Sequence, residues 1–295
     1  MSQQPVIRPI RMDQAPPEVR TLLTDIQDTM GIPWPPDSWR SYAMYPDAAR
    51  LFWERLKPAV ETEQFLTDAL RIAELAYRQA QDWYGPGYEP RLQPDVLRRI
   101  QWELDAFEYG NAQLLIQQGA LNHAVHGEAV GGTGGSRPRR HVSAYRGPET
   151  QMIGEAEASD EIKGLYGDIR QTLSLPLITS DYQALAKWPE FLEPAWRDAR
   201  DWREREEYRQ LQQNLAIMGD EAGQRLTEIV RIGEDELLAA VGDPVGVNNL
   251  QRMVRLFTDL LPGLIVNDAL FGVGAGAGQR VRELQPEGAK APAMP

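Results

Sequence analysis

The chain has 295 residues, 42% of them apolar, a formal net charge of −12 and no cysteine. That length suits two domains or one large core, and the acidic balance argues against a nucleic-acid partner. Without cysteine there is no disulfide, thiolate nucleophile or cysteine-based metal site.

Residues 1–12 lack a continuous apolar core, so no signal peptide is expected and cytoplasm is the default location. No run approaches the roughly 18 apolar residues of a membrane helix, so no membrane partner is expected. The first predicted helix covers 16–30, opening at Pro16-Pro17 with Val19, Leu22, Leu23, Ile26 and Met30 at helical spacing. Gly31 and Pro33 end it. Pro46 opens the next helix, where a missing N–H costs little. Helices are then predicted over 60–82 and 94–124. Residues 127–150 read as a linker, with Gly127, Gly131, Gly132, Gly134 and Gly135 ahead of a short solvated basic cluster, Arg137 to Arg140. Beyond it, 160–173 places Ile162, Leu165, Tyr166, Ile169 and Leu173 at helical spacing, and Pro189 opens another helix. Further helices are predicted over 205–218, 222–232 and 247–271. The tail from about 272 is Gly/Ala- and then Pro-rich and is expected to fray.

Two of these segments are copies. Glu18, Leu22, Asp25, Ile26, Thr29, Pro33, Ala43, Pro46 and Trp53 reappear, 143 residues on, as Glu161, Leu165, Asp168, Ile169, Thr172, Pro176, Ala186, Pro189 and Trp196. A fainter match sets Ile100, Gln101 and Phe107 against Leu250, Gln251 and Phe257, now 150 apart, so seven extra residues fall in connections. A repeat of this length means two similar packing units. The expected fold is therefore all-α, two similar helical repeats packed as a pseudo-dimer. The divisions are a first repeat over 1–126, a linker over 127–150, a second repeat over 151–275 and a tail over 276–295.

The copies differ at two polar positions. Asn111 lies on the stripe of Leu97, Ile100, Leu104, Phe107, Leu114 and Leu115, where its match is Leu261. An amide in an apolar stripe costs free energy unless hydrogen-bonded; a helix–helix hydrogen bond is its commonest use. Asp181 stands where the first copy has Ser38, so a site that uses it exists once per chain. Ser180 and Gln183 suit a capping box, which would put Asp181 in a first helical turn and explain an acid there by the helix dipole. His123, His126 and His141 lack the His-Glu-x-x-His pattern of a zinc site and read as satisfied or exposed. Trp53, Trp188 and Trp196 read as core. No phosphate loop, Gly-x-Ser-x-Gly elbow, dinucleotide or kinase signature is present.

Tyr109-Gly110-Asn111 followed by Leu114-Leu115, and Ser180-Asp181-Tyr182-Gln183-Ala184-Leu185-Ala186 followed by Trp188-Pro189, resemble the group I 2-haloacid dehalogenases. Pro33-Trp34, Tyr45-Pro46, Trp53, Thr62 and Val130-Gly131-Gly132 add to the resemblance, which runs in order over nearly the whole chain. It implies a cofactor-free, metal-free homodimeric enzyme, built of two helical repeats, that acts on D- and L-2-haloacids. Such an enzyme hydrolyses the carbon–halogen bond of short 2-haloalkanoic acids with inversion at C2. The resemblance assigns Asp181 as the base on a water that attacks C2 directly, and Asn111 as the residue that holds the water. Weaker assignments are Trp34 as a pocket wall, Ser180 as a donor to the substrate carboxylate, and Thr62 as a further substrate contact.

A carboxylate base suits this chemistry, because halide leaves without protonation and the weak nucleophile limits the rate. Asp181 would need burial to raise its pKa, so it is expected to be desolvated and near Asn111. Two departures bear on substrate range. Leu66 stands where the family has a glutamate one turn after Thr62, with Glu63 nearby, and Asp37 stands near a family aromatic, with Trp39 close in sequence. The alternative is a helical binding protein for a small carboxylate, with Asp181 and Asn111 holding structural water. A helical redox protein would need thiols, and a protein scaffold would need an exposed apolar groove.

Overall fold

The computed structural model describes residues 5–84, 92–139, 147, 150–278 and 283–284. Eleven helices follow one another among these: α1 Pro17–Met30, α2 Asp37–Tyr42, α3 Pro46–Val60, α4 Glu63–Tyr84, α5 Pro94–Ala124, α6 Asp160–Leu173, α7 Ser180–Leu185, α8 Pro189–Arg203, α9 Glu206–Gln224, α10 Glu234–Val241 and α11 Pro244–Ala275. The only β pairing among the described residues is two isolated bridges. The fold is all-α. His141, Arg140 and most of the tail lie outside the described residues.

The helices recur with the sequence repeat. The bounds of α1, α2 and α3 return 143 residues later in α6, α7 and α8, and α4 and α9 start at matching positions. The starts of α5 and α11 lie 150 apart. Matching bonds recur as well. Trp53 Nε1 donates to Asp25 Oδ2 at 2.6 Å, and Trp196 Nε1 donates to Asp168 Oδ2 at 2.6 Å. Lys57 pairs with Asp25, and Arg200 with Asp168. These are the aspartates and tryptophans that the repeat picks out, and they tie the first helix of each copy to its third.

The two long helices, α5 and α11, form the centre and make the most extensive contact of any pair. Every residue from Glu103 to Leu121 in α5, and from Leu261 to Gly272 in α11, is buried. Helices enclosed on all sides have no solvent face; over that stretch α11 is apolar around its circumference but for Asn267 and Asp268, whereas α5 also buries Glu103, Asp105, Glu108, Asn111, Gln113, Gln117 and Gln118. That is why α11 is long and apolar enough to cross a membrane by length and composition, although its apolar window is 72% buried inside this fold. α9 meets α5 through glycines: a Cβ at Gly119 would lie 2.7 Å from the Gly219 carbonyl oxygen, and one at Gly223 would lie 2.5 Å from the Ala120 nitrogen.

Three expectations change. The helix expected over 222–232 does not form; α9 runs on to Gln224 and the chain is then non-helical to Gly233. Thr227, Ile229, Val230 and Ile232 are β-branched and favour extended backbone, and Val230 exchanges two backbone hydrogen bonds with Val130. α10 is a helix that the periodicity did not reveal, and it occupies the longer connection of the second copy. The described part of 127–150 is an ordered strap. Gly131 and Gly134 donate to the carbonyls of Gln224 and Thr227, Arg139 N donates to Glu61, and Glu63 N donates to Arg137. Nor is Arg139 solvated, since its guanidinium donates to Gln113 Oε1 at 2.9 Å and to the Thr29 carbonyl.

Candidate active site

Asn111 in α5, Asp181 in α7 and Asp268 in α11 meet in the buried centre. Asn111 Nδ2 donates to Asp181 Oδ1 at 2.6 Å and to Asp268 Oδ2 at 2.8 Å. Both partners are acceptors, so chemistry fixes which end of the amide faces them. The Asn111 carbonyl oxygen is left as the end that can accept from water. Asp181 is 4% exposed and Asp268 1%.

Burial is the main reason that the Asp181 carboxyl is raised; hydrogen bonds from Asn111 and Asp268 pull it down, and the Asp37 charge adds to the rise. Asp268 is pushed well above the ordinary carboxylate value, by burial first and then by the charge of Asp181 and the bond between the two. Two carboxylates this close in a dry setting hold a proton between them. Of the two, Asp268 is raised further, because the Asp181 charge and the bond between them add to its burial, whereas the same bond pulls Asp181 down.

A small cavity opens beside the cluster, lined by Trp34, Pro36, Asp37, Ser38, Phe107, Asn111, Leu114, Thr179, Ser180, Asp181, Phe257, Leu261 and Leu264. Its space open to the centre of a water molecule is about 30 Å³. One water needs about 10–15 Å³ on that measure, so the cavity suits a ligand of a few heavy atoms and excludes a large one. Trp34 lies against Phe107, ring centres 4.0 Å apart. The lining is paired across the repeat: Asp37 with Ser180, Ser38 with Asp181, Asn111 with Leu261, Phe107 with Phe257, and Leu114 with Leu264. Both polar asymmetries therefore face one cavity.

The structure thus brings Asn111, Asp181, Trp34 and Ser180 together. It does not bring Thr62 to them. The Thr62 hydroxyl donates to the Ala59 carbonyl at 2.7 Å and accepts from Phe65 N at 3.3 Å, which caps α4. Leu66 is buried in the core beside that cap. The capping box expected of Ser180 is also absent, because Thr179 is the N-cap of α7 and Gln183 Nε2 donates to the Ile178 carbonyl. Ser180 uses its N–H and hydroxyl on Asp37 instead.

Asp268 is the residue that sequence reasoning missed. Its signal was an acid next to Asn267 inside the apolar run of α11, where the first copy has Gln118. Asn267 is bonded in turn, donating to Tyr182 Oη at 2.9 Å and accepting from Tyr208 Oη at 2.8 Å. His123, in contrast, is satisfied as expected, between Glu128 and Asp220.

A buried carboxylate held by an amide, facing a cavity sized for a few atoms in an all-helical protein, defines a small-molecule site of acid–base character. Residues 33–182 match the family described as halocarboxylic acid dehydrogenase DehI, and the chain belongs to that family. It is 28% identical over 279 residues to an (R)-2-haloacid dehalogenase of Pseudomonas putida, covering 89% of this chain and 90% of that one. It is 30% identical over 218 residues to a configuration-inverting 2-haloacid dehalogenase of Pseudomonas sp. (strain 113), covering 67% and 69%. The solved structure of a D-2-haloacid dehalogenase mutant with D-2-CPA superposes with a TM-score of 0.86 at 26% identity, over 92% of this chain and 96% of the other.

Proposed function

We propose that this chain hydrolyses short 2-haloalkanoic acids to 2-hydroxy acids with inversion at C2. The observation that carries the proposal is the buried Asn111–Asp181–Asp268 cluster at the wall of a cavity for a few heavy atoms. A water accepted at the Asn111 carbonyl oxygen gives its proton to Asp181 as its lone pair forms the bond to C2. The C2–halogen bond breaks on the opposite side and halide leaves with the bonding pair. Attack from that side inverts C2 in one displacement, with no ester on the enzyme. The Asp181–Asp268 pair shares one proton and bears one negative charge, which leaves it a base toward the water.

Ser180, through its N–H and hydroxyl, is the seat for the substrate carboxylate, and Trp34 on Phe107 walls the space for the halogen or the C2 substituent. Thr62 has no part in this arrangement. The paired lining supports packing of the repeats about a pseudo-twofold axis through the cavity, with the divisions at 1–126, 127–150, 151–275 and 276–295. A homodimer in the cytoplasm completes the proposal, and sedimentation checks the dimer. Names of relatives specify the (R) or D acid, which makes D-2-haloacids the first substrate class. Action on both hands rests only on the water nucleophile, which serves either if halogen and substituent exchange places.

The test is halide release from separate D- and L-2-chloropropionate by wild type and Asp181→Asn, with the chirality of the product recorded. Halide with inversion, reduced 10²-fold or more in the variant, is the expected result for a general base. A single turnover in heavy-oxygen water must place the label in the product at once. No halide from any 2-haloacid, or a first-turnover oxygen that comes from the protein, overturns it.

A further inference from the structure

We propose that Asp37 is a built-in competitor for the substrate carboxylate, holding the Ser180 seat until an anion displaces it and so setting the discrimination between anionic and neutral 2-halo compounds. The inference rests on the seat assigned above to Ser180. Both donors of that seat end on one atom: Ser180 N donates to Asp37 Oδ2 at 2.8 Å, and Ser180 Oγ donates to the same oxygen at 2.9 Å. The other oxygen, Asp37 Oδ1, is buried and has no hydrogen-bond partner among the described residues. Asp37 is 9% exposed, and it lines the cavity alongside Ser180 and Asp181. A carboxylate from the protein itself therefore stands where the ligand's carboxylate would be received.

Two anions cannot share those donors at full strength, because a carboxylate only accepts and each charge-assisted bond is stronger than a neutral one. A second carboxylate entering the cavity also meets the charges of Asp37 and Asp181 in a desolvated space. No Lys or Arg lines the cavity among the described residues. A neutral amide, whose oxygen needs the same donors, pays the first cost but not the second, and its N–H can donate to Asp37. The structure holds an alternative partner for a displaced Asp37. Arg40 Nη1 lies 3.7 Å from Asp37 Oδ1, and Arg40 Nε is buried without a hydrogen-bond partner among the described residues. Asp37 can pass from Ser180 to Arg40, one turn along the same helix, when an anion takes the seat.

Propionate and propionamide are the same size, are unreactive and differ in charge. Calorimetric titration of both into wild type, Asp37→Asn and Asp37→Ala reads the competitor without chemistry. The expected result is propionate binding tighter by tenfold or more in both variants, with propionamide gaining at least fivefold less. Equal shifts for the two ligands, or none, make Asp37 only a tie between α2 and α7 and overturn the proposal. Thermal melts establish that the variants are folded; Asp37→Asn, nearly isosteric, serves if the alanine variant is not. Because these ligands release no halide, a failure of the dehalogenation assay leaves this result separately readable.

Discussion

Replacing Asp268 by asparagine tests the shared proton at the centre of the fold. A protonated Asp268 is a neutral donor and acceptor, and so is asparagine. An amide in its place can accept from Asn111 Nδ2, now at 2.8 Å from Asp268 Oδ2, and can donate to Asp181. Activity is therefore expected to stay within about threefold of wild type, as replacing a neutral group by a neutral group leaves the charge on Asp181 intact. Stability gives the larger signal. The folded chain holds the Asp268 proton well above the ordinary carboxylate value of 3.8, while the unfolded chain releases it near that value. Above it the native state binds more protons than the unfolded state, so stability falls as pH rises, and it goes on falling until the raised folded pKa is passed. Wild type therefore loses stability from this group as pH rises above the ordinary carboxylate range. Asp268→Asn lacks that slope. Urea unfolding at pH 5, 6 and 7 is expected to show the variant gaining on wild type as pH rises. Parallel slopes, or a loss of halide release beyond 100-fold, would show that Asp268 is ionised or is itself the proton acceptor.

Asn111→Leu, which installs the residue of the other copy, removes a donor to Asp181 and the acceptor for water; kcat is expected to fall about 10²-fold or more, with KM little changed, and a loss under tenfold would remove Asn111 from the chemistry. The acid limb of kcat/KM is expected above the ordinary 3.8, since activity is lost as pH falls through the raised Asp181 pKa, and Asn111→Leu moves it further up because that donor holds the pKa down; a limb at or below 3.8 contradicts the burial argument. Thr62→Ala is expected to cost about 0.5–2 kcal/mol as a lost cap and to leave kcat/KM unchanged, and a changed KM would return Thr62 to the substrate. Gly223→Ala is expected to destabilise by about 1–3 kcal/mol through overpacking against α5, read by urea unfolding, and a neutral effect would mean that the helices can part at Ala120.

The amino-acid sequence by itself determined the helical class, the residues that recur 143 positions apart and the two anomalous polar residues. Each depends on local spacing or on comparing one copy with the other. Helical period placed α1, α5 and α6 because a buried face repeats every three to four residues, and Pro46 and Pro189 opened α3 and α8. Comparison singled out Asp181 and Asn111 because a residue that the same local fold does without in its twin is not there to build that fold. Only the tertiary structure decided which faces meet. Asp268 joins Asn111 across 157 residues, Asp37 meets Ser180 across 143, and Val230 pairs with Val130 from beyond four intervening helices, which no local rule anticipates. Thr62 and Ser180 show the same limit from the other side. A hydroxyl can cap a helix or receive a ligand with the same atoms, and the choice was made by what packing brought against it: the start of α4 for Thr62, and the carboxylate of Asp37 for Ser180. Partners distant in sequence are selected by the burial of whole helix faces, a property of the assembled core and not of any segment within it.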